Sequence, residues 1–127
     1  TGDLLARTGG ESFYDNLGTV YPPAVDAIVG RFTADRRGLH YLDRFYSPSG
    51  AISFPVMTLH GMREPVVPLF HEDDYATRAP EAWLVQRTVN SFGHCTINQQ
   101  EVLTAFDDLV RWVTEGHRPA GGDATIR

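Results

Sequence analysis

Two short stretches hold the residues best suited to chemistry. The first is residues 55–68, PVMTLHGMREPVVP, which contains Glu64; the second is Ser91-Phe92-Gly93-His94-Cys95. A carboxylate and an imidazole brought together form an acid–base unit. The carboxylate fixes the tautomer of the ring and stabilises its protonated form, and the ring's other nitrogen accepts a proton from a hydroxyl. The question for the rest of the chain is whether it can bring Glu64 and His94 together.

The elements around them suit the task. Val56 to Leu59 is a short apolar run bounded by turn residues, which reads as a buried strand. Gly61 is expected to free the backbone for a sharp loop, leaving Glu64 just past the strand end. Residues 82–90, AWLVQRTVN, read as a second strand, with His94 in the loop after it. Residues 68–78, PLFHEDDYATR, read as a helix with Pro at its start and acids in its early turns, where they complement the helix dipole. Residues 98–115 carry the strongest helical pattern. Asn98 with Glu101 forms a capping-box start, and Gly116 suits the C-cap. Val102, Ala105, Phe106, Leu109, Val110 and Val113 recur on one apolar face. Residues 54–115 therefore read as strand, helix, strand, helix, an α/β arrangement with one right-handed βαβ unit. In open α/β sheets functional groups gather at the carboxyl ends of strands, where Glu64 and His94 would both lie.

An acid and then a histidine, each after its own strand, is also the order of the last two triad members in α/β-hydrolases. PVMTLHGMREPVVP resembles the acid-bearing strand and loop of that superfamily, an "lHG..D..VP" pattern, and SFGHC resembles its histidine loop. The resemblance covers residues ~50–119. It implies the C-terminal βαβα portion of an α/β-hydrolase fold, most simply an esterase acting on a small carboxylic ester, with peptidase activity as the rival within the class. It implies His94 as base and Glu64 as acid, Glu standing where Asp is commoner. No cofactor is implied. Residues 11–46 resemble, less specifically, the helical cap that some of these enzymes insert before the acid-bearing strand. In the tannase and feruloyl esterase group a cysteine beside the catalytic His bridges one beside the catalytic Ser. The His94–Cys95 pair is similar and would need an upstream partner.

One part of the pattern is missing. The nucleophile elbow G-x-S-x-G does not occur: Gly10-Glu11-Ser12-Phe13-Tyr14 has only its first glycine, and Ser47, Ser49, Ser53 and Ser91 fit no better. The serine is thus expected outside this chain, which begins with Thr1, has no initiator Met or signal peptide, and reads as an excised piece. Parallel strands occur almost only in covered sheets, so a lone pair implies further strands elsewhere. The expected partner is the upstream part of the same hydrolase, or a second copy through self-association. The reading from another class is a degenerate hydrolase serving as a binding or self-associating module.

Each candidate has a plainer alternative. Glu64 could be a solvated acid beside Arg63, with Glu72 and Asp73 as rivals for the acid role. His94 could bond a backbone carbonyl. Cys95 adjoins His94 too closely for a productive Cys–His pair and is expected to be a small buried residue. His60 and His71 lack the H-E-x-x-H metal spacing, so no metal is expected.

Composition bounds the rest. The chain has 127 residues, enough for one domain, with 42% apolar and 21% charged residues. Its net charge of −5 argues against nucleic acid, and no apolar stretch approaches a membrane span. All basic residues are Arg, and a single Cys rules out an internal disulfide. Residues 1–50 read as a loop and cap-like segment. Within it, residues 1–22 are mainly loop, and 23–32 and 34–46 are short helices, the latter with Leu39, Leu42, Phe45 and Tyr46 at helical spacing. Half of the aromatic residues lie in 13–46 and are expected mainly to pack the cap. Residues 51–119 form the α/β part, and 120–127 are expected to be a mobile tail.

Overall fold

A computed structural model describes residues 2–126. The chain separates into two units, Thr1–Pro48 and Ser49–Arg127.

The first unit contains α1 (Gly2–Arg7), α2 (Pro23–Asp26) and α3 (Arg36–Phe45). Residues 2–7, expected as loop, form a helical turn and a half carrying an Asp3–Arg7 pair at 2.9 Å, one turn apart. The helix expected over 23–32 stops at Asp26. Side chains hold the following chain in a closed loop instead. Asn16, 3% exposed, donates to the Gly30 carbonyl at 2.9 Å and accepts from the Phe32 amide at 2.7 Å. Arg31 donates to the carbonyls of Asn16 and Thr19 and pairs with Asp26. α3 starts where Asp35 caps the Arg37 amide at 2.7 Å. Its buried residue is Gly38, packed against the Ser12 carbonyl, whereas Leu39, Phe45 and Tyr46 are exposed.

The second unit is mixed α/β. Its elements are β1 (Val56–Arg63), α4 (Phe70–Ala76), β2 (Leu84–Phe92), α5 (Gln99–Glu115) and β3 (Gly122–Asp123), and all three strands are parallel in the order β1-β2-β3. The third strand corrects the expectation of a single parallel pair and of a mobile tail. Residues 120–126 are held at the free edge of β2: Arg87 donates to the Ala120 carbonyl, the Ala124 amide to the Thr88 carbonyl, and the Asn90 amide to Thr125 Oγ1. Glu101 fastens the end. One carboxylate oxygen completes the capping box on the Asn98 amide, and the other accepts the Ile126 amide at 3.1 Å.

Gly61 also departs from expectation. The strand runs through it to Arg63, and Gly61 is not the start of a loop. Glycine is required there by close approach, since a Cβ would stand 2.6 Å from Ser91 Oγ. The register Gly61↔Val89 gives way to Arg63↔Phe92, so β2 carries one extra residue at the carboxyl end of the pair.

The buried apolar residues come mainly from β2 and α5, and α5 packs against the sheet. Leu84, Val85, Val89, Ala105 and Trp112 are buried, Val89 completely. α5 turns a different face to the sheet from the one its apolar pattern suggests. Glu101, Ala105 and Trp112 face inward, and Asp108 pairs with Arg87 at 2.8 Å. Val102, Phe106, Val110 and Val113 are exposed. The apolar stripe is wider than the part of the helix that is buried, and Asp108 lies on that buried side. On the opposite face Glu72 of α4 accepts from Thr58 and from Gln86 Nε2, the latter at 2.8 Å, joining the register partners of β1 and β2.

Replacing Glu101 with Ala removes one half of the capping box and the acceptor that holds the last strand. The expected cost is about 1–2 kcal/mol. Urea unfolding measures the loss, and hydrogen exchange at Ile126 should lose its protection in the same variant.

Candidate active site

Glu64 is placed by its own short loop. The residue before a proline is confined to extended backbone, so Pro65 restricts Glu64 as it leaves β1. Its Oε1 then accepts the amides of Val66 at 2.7 Å and Val67 at 3.4 Å, curling the loop around the carboxylate. Oε2 is left facing the neighbouring loop.

His94 comes from that loop. Because β1 and β2 are parallel, their carboxyl ends adjoin, and the Gly93 amide donates to the Arg63 carbonyl at 3.2 Å. His94 Nδ1 lies 2.9 Å from Glu64 Oε2. An ionised carboxylate only accepts, so Nδ1 carries a proton, and in the neutral ring Nε2 keeps its lone pair. The Glu64 side chain is 9% exposed and that of His94 50% exposed. The acid is thus enclosed by its loop while the ring remains open to a reactant. Among the described residues no protein group hydrogen-bonds Nε2.

The electrostatics agree with this arrangement. Burial works against charge on Glu64, but the amide of Val66, the imidazole of His94 and the amide of Val67 together outweigh it and hold the carboxyl below its ordinary value. A cavity of about 230 Å³ opens beside the pair, walled by Leu59, Val67 and Ile97. Ser91 also lines it, with a buried hydroxyl that has no hydrogen-bond partner among the described residues.

Of the other candidates, His60 and Cys95 line the same cavity, whereas Glu72 and Asp73 lie on α4. Glu72 is engaged by Thr58 and Gln86, and Asp73 shares its helix; neither bonds His94. Cys95, expected to be buried, is exposed. It sits in the left-handed conformation with φ 56°. His60 Nδ1 contacts the Gly61 carbonyl, and His71 stacks beside Phe70. Among the described residues no group of three metal-binding side chains converges. Ser12 lies in a loop, and Ser91 lies within β2, not on a turn into a helix. The place of Ser91 against Gly61 was not anticipated; a glycine inside an apolar strand pattern was its available signal.

No family model, curated protein or solved structure matches the chain.

The lowered carboxyl gives a pH dependence whose sign is fixed. A group with its folded value below the unfolded one, here near 4.5, stabilises the fold fully above that value. The contribution disappears as pH falls through the lower, folded value. Thermal melts taken from neutral pH downward should show wild type losing an acid-side increment that Glu64→Gln lacks, so the two curves converge in acid.

Proposed function

We propose that this chain supplies the acid and the base of a Ser-His-Glu triad in a serine hydrolase of the α/β-hydrolase fold, acting on carboxylic esters, with the serine contributed by chain outside residues 1–127. One observation carries the reading: a carboxylate held by two backbone amides meets His94 Nδ1 at 2.9 Å, at the carboxyl ends of adjacent parallel strands, with Nε2 open.

The chemistry follows from that pair. The serine oxygen forms a bond to the ester carbonyl carbon as His94 Nε2 takes its proton. Glu64 keeps Nδ1–H in place and stabilises the imidazolium. The tetrahedral intermediate collapses with loss of the alcohol oxygen, which receives the proton from Nε2. Water then repeats the sequence on the acyl-enzyme, returning the acid product and the free serine. Backbone amides near the serine would form the oxyanion hole.

A second reading has its own support. Among the described residues no strand pairs with the outer edge of β1, and Val102, Phe106, Val110 and Val113 form an exposed apolar ridge, as a binding or self-associating module requires. Activity separates the two readings.

In the protein that includes the serine, His94→Gln should lower kcat on a p-nitrophenyl ester by about 10⁴-fold or more while the fold persists. Glu64→Gln should cost up to about 10⁴-fold, since amide replaces charge beside the imidazolium. Glu72→Gln should instead lower the melting temperature with little change in kcat. A folded His94→Gln protein that turns over normally would eliminate the triad and leave the binding module.

A further inference from the structure

The histidine loop has a backbone that does not hold itself. His94 stands between Gly93 with φ 107° and Cys95 with φ 56°. Glycine tolerates that region, but the Cβ of cysteine disfavours it. Such a conformation persists only where neighbouring groups over-determine it. Two ties are present. One is the Gly93 amide on the Arg63 carbonyl, which anchors the start of the loop beside Glu64.

The other is Thr96. Its hydroxyl lies 3.0 Å from the Phe92 carbonyl oxygen and 3.0 Å from that of Gly93, so its one proton is shared between them. Its methyl carbon lies 3.0 Å from where a Cβ on Gly93 would stand. Thr96 thereby ties the exit of the loop back to its entry, and Gly93 has the room to receive it because it has no side chain. His94 is enclosed in the span that this bond closes.

We infer that Thr96 is a positioning residue for His94, holding the loop in the one shape that delivers Nδ1 to Glu64 Oε2 and leaves Nε2 outward. The inference rests on the Glu64–His94 acid–base reading. Thr96 itself hydrogen-bonds only the loop backbone. A hydroxyl that merely completed a surface turn would affect stability without moving the imidazole proton from one nitrogen to the other. The Glu64 contact is what selects the Nδ1–H tautomer, so the tautomer reports the position of the ring.

The test is long-range proton–nitrogen correlation NMR of the full chain, at a pH where the imidazole is neutral, with thermal melts in parallel. Wild-type His94 should be in the Nδ1–H form. Thr96→Val, which keeps the shape and removes the hydroxyl, should lose that form as the majority species while still melting cooperatively. Thr96→Ser, which keeps the hydroxyl, should retain it. Persistence of Nδ1–H in Thr96→Val overturns the inference and leaves the pair intact. Equal loss in Thr96→Ser, or loss only together with the melting transition, makes the role structural and also overturns it. A wild-type ring in the Nε2–H form defeats the acid–base reading itself, and the positioning role with it.

Discussion

Parallel pairing of β1 with β2 is the constraint on which the rest depends. Val56 to Gly61 run in register with Leu84 to Val89, and both strands deliver their carboxyl ends to one side. Glu64 and His94 are thirty residues apart in sequence and meet only because of that pairing. An antiparallel pair would have sent the two loops to opposite ends. The close approach of Gly61 to Ser91 lets the strands stay together up to their last residues. The extra residue in β2 then resets the direction of the chain just before the histidine loop.

The same constraint bears on how the second unit is covered. Parallel sheets are stable when helices cover both faces and neighbours cover both edges. Here β3 and residues 124–126 cover the β2 edge, yet β1 lacks a strand on its other side among the described residues. α5 buries Ala105 and Trp112 but leaves an apolar ridge in water. Polar anchors hold what the small core does not. Thr58, Gln86 and Glu72 tie one face, and Arg87 with Asp108 ties the other. The unit thus combines a site built at the strand ends with an apolar ridge left in water.

Much of this arrangement was legible in the sequence where local signals and tertiary packing agreed. The Asn98–Glu101 capping box and Gly116 bracket α5 because caps act within a turn of chain. The two apolar runs became strands, and Glu64 and His94 follow them. The unread parts depend on partners distant in sequence. Gly122 and Asp123 have no strand pattern of their own, and the residues on either side of them, Ala120, Thr125 and Ile126, are held by Arg87, Asn90 and Glu101. α2 stops at Asp26, and beyond it the Asn16 side chain, not a helix, satisfies the backbone of Gly30 and Phe32. The inward face of α5 carries Glu101, Ala105, Asp108 and Trp112, a mixed set that apolar periodicity alone does not mark. Gly61 was correctly marked as special, but its reason was a neighbour's hydroxyl and not a turn. The Thr96 clamp left no pattern beyond a threonine three residues after a glycine.

The central claim is that this chain carries a base without its nucleophile. Fluorophosphonate labelling followed by peptide mapping tests it directly. Residues 1–127 alone should take up no label. The same residues supplied with the preceding part of the protein should direct the label to a serine in that part, and only while His94 is intact. Label on Ser12, Ser91 or any other serine of residues 1–127, or labelling upstream that is indifferent to His94, would contradict the account.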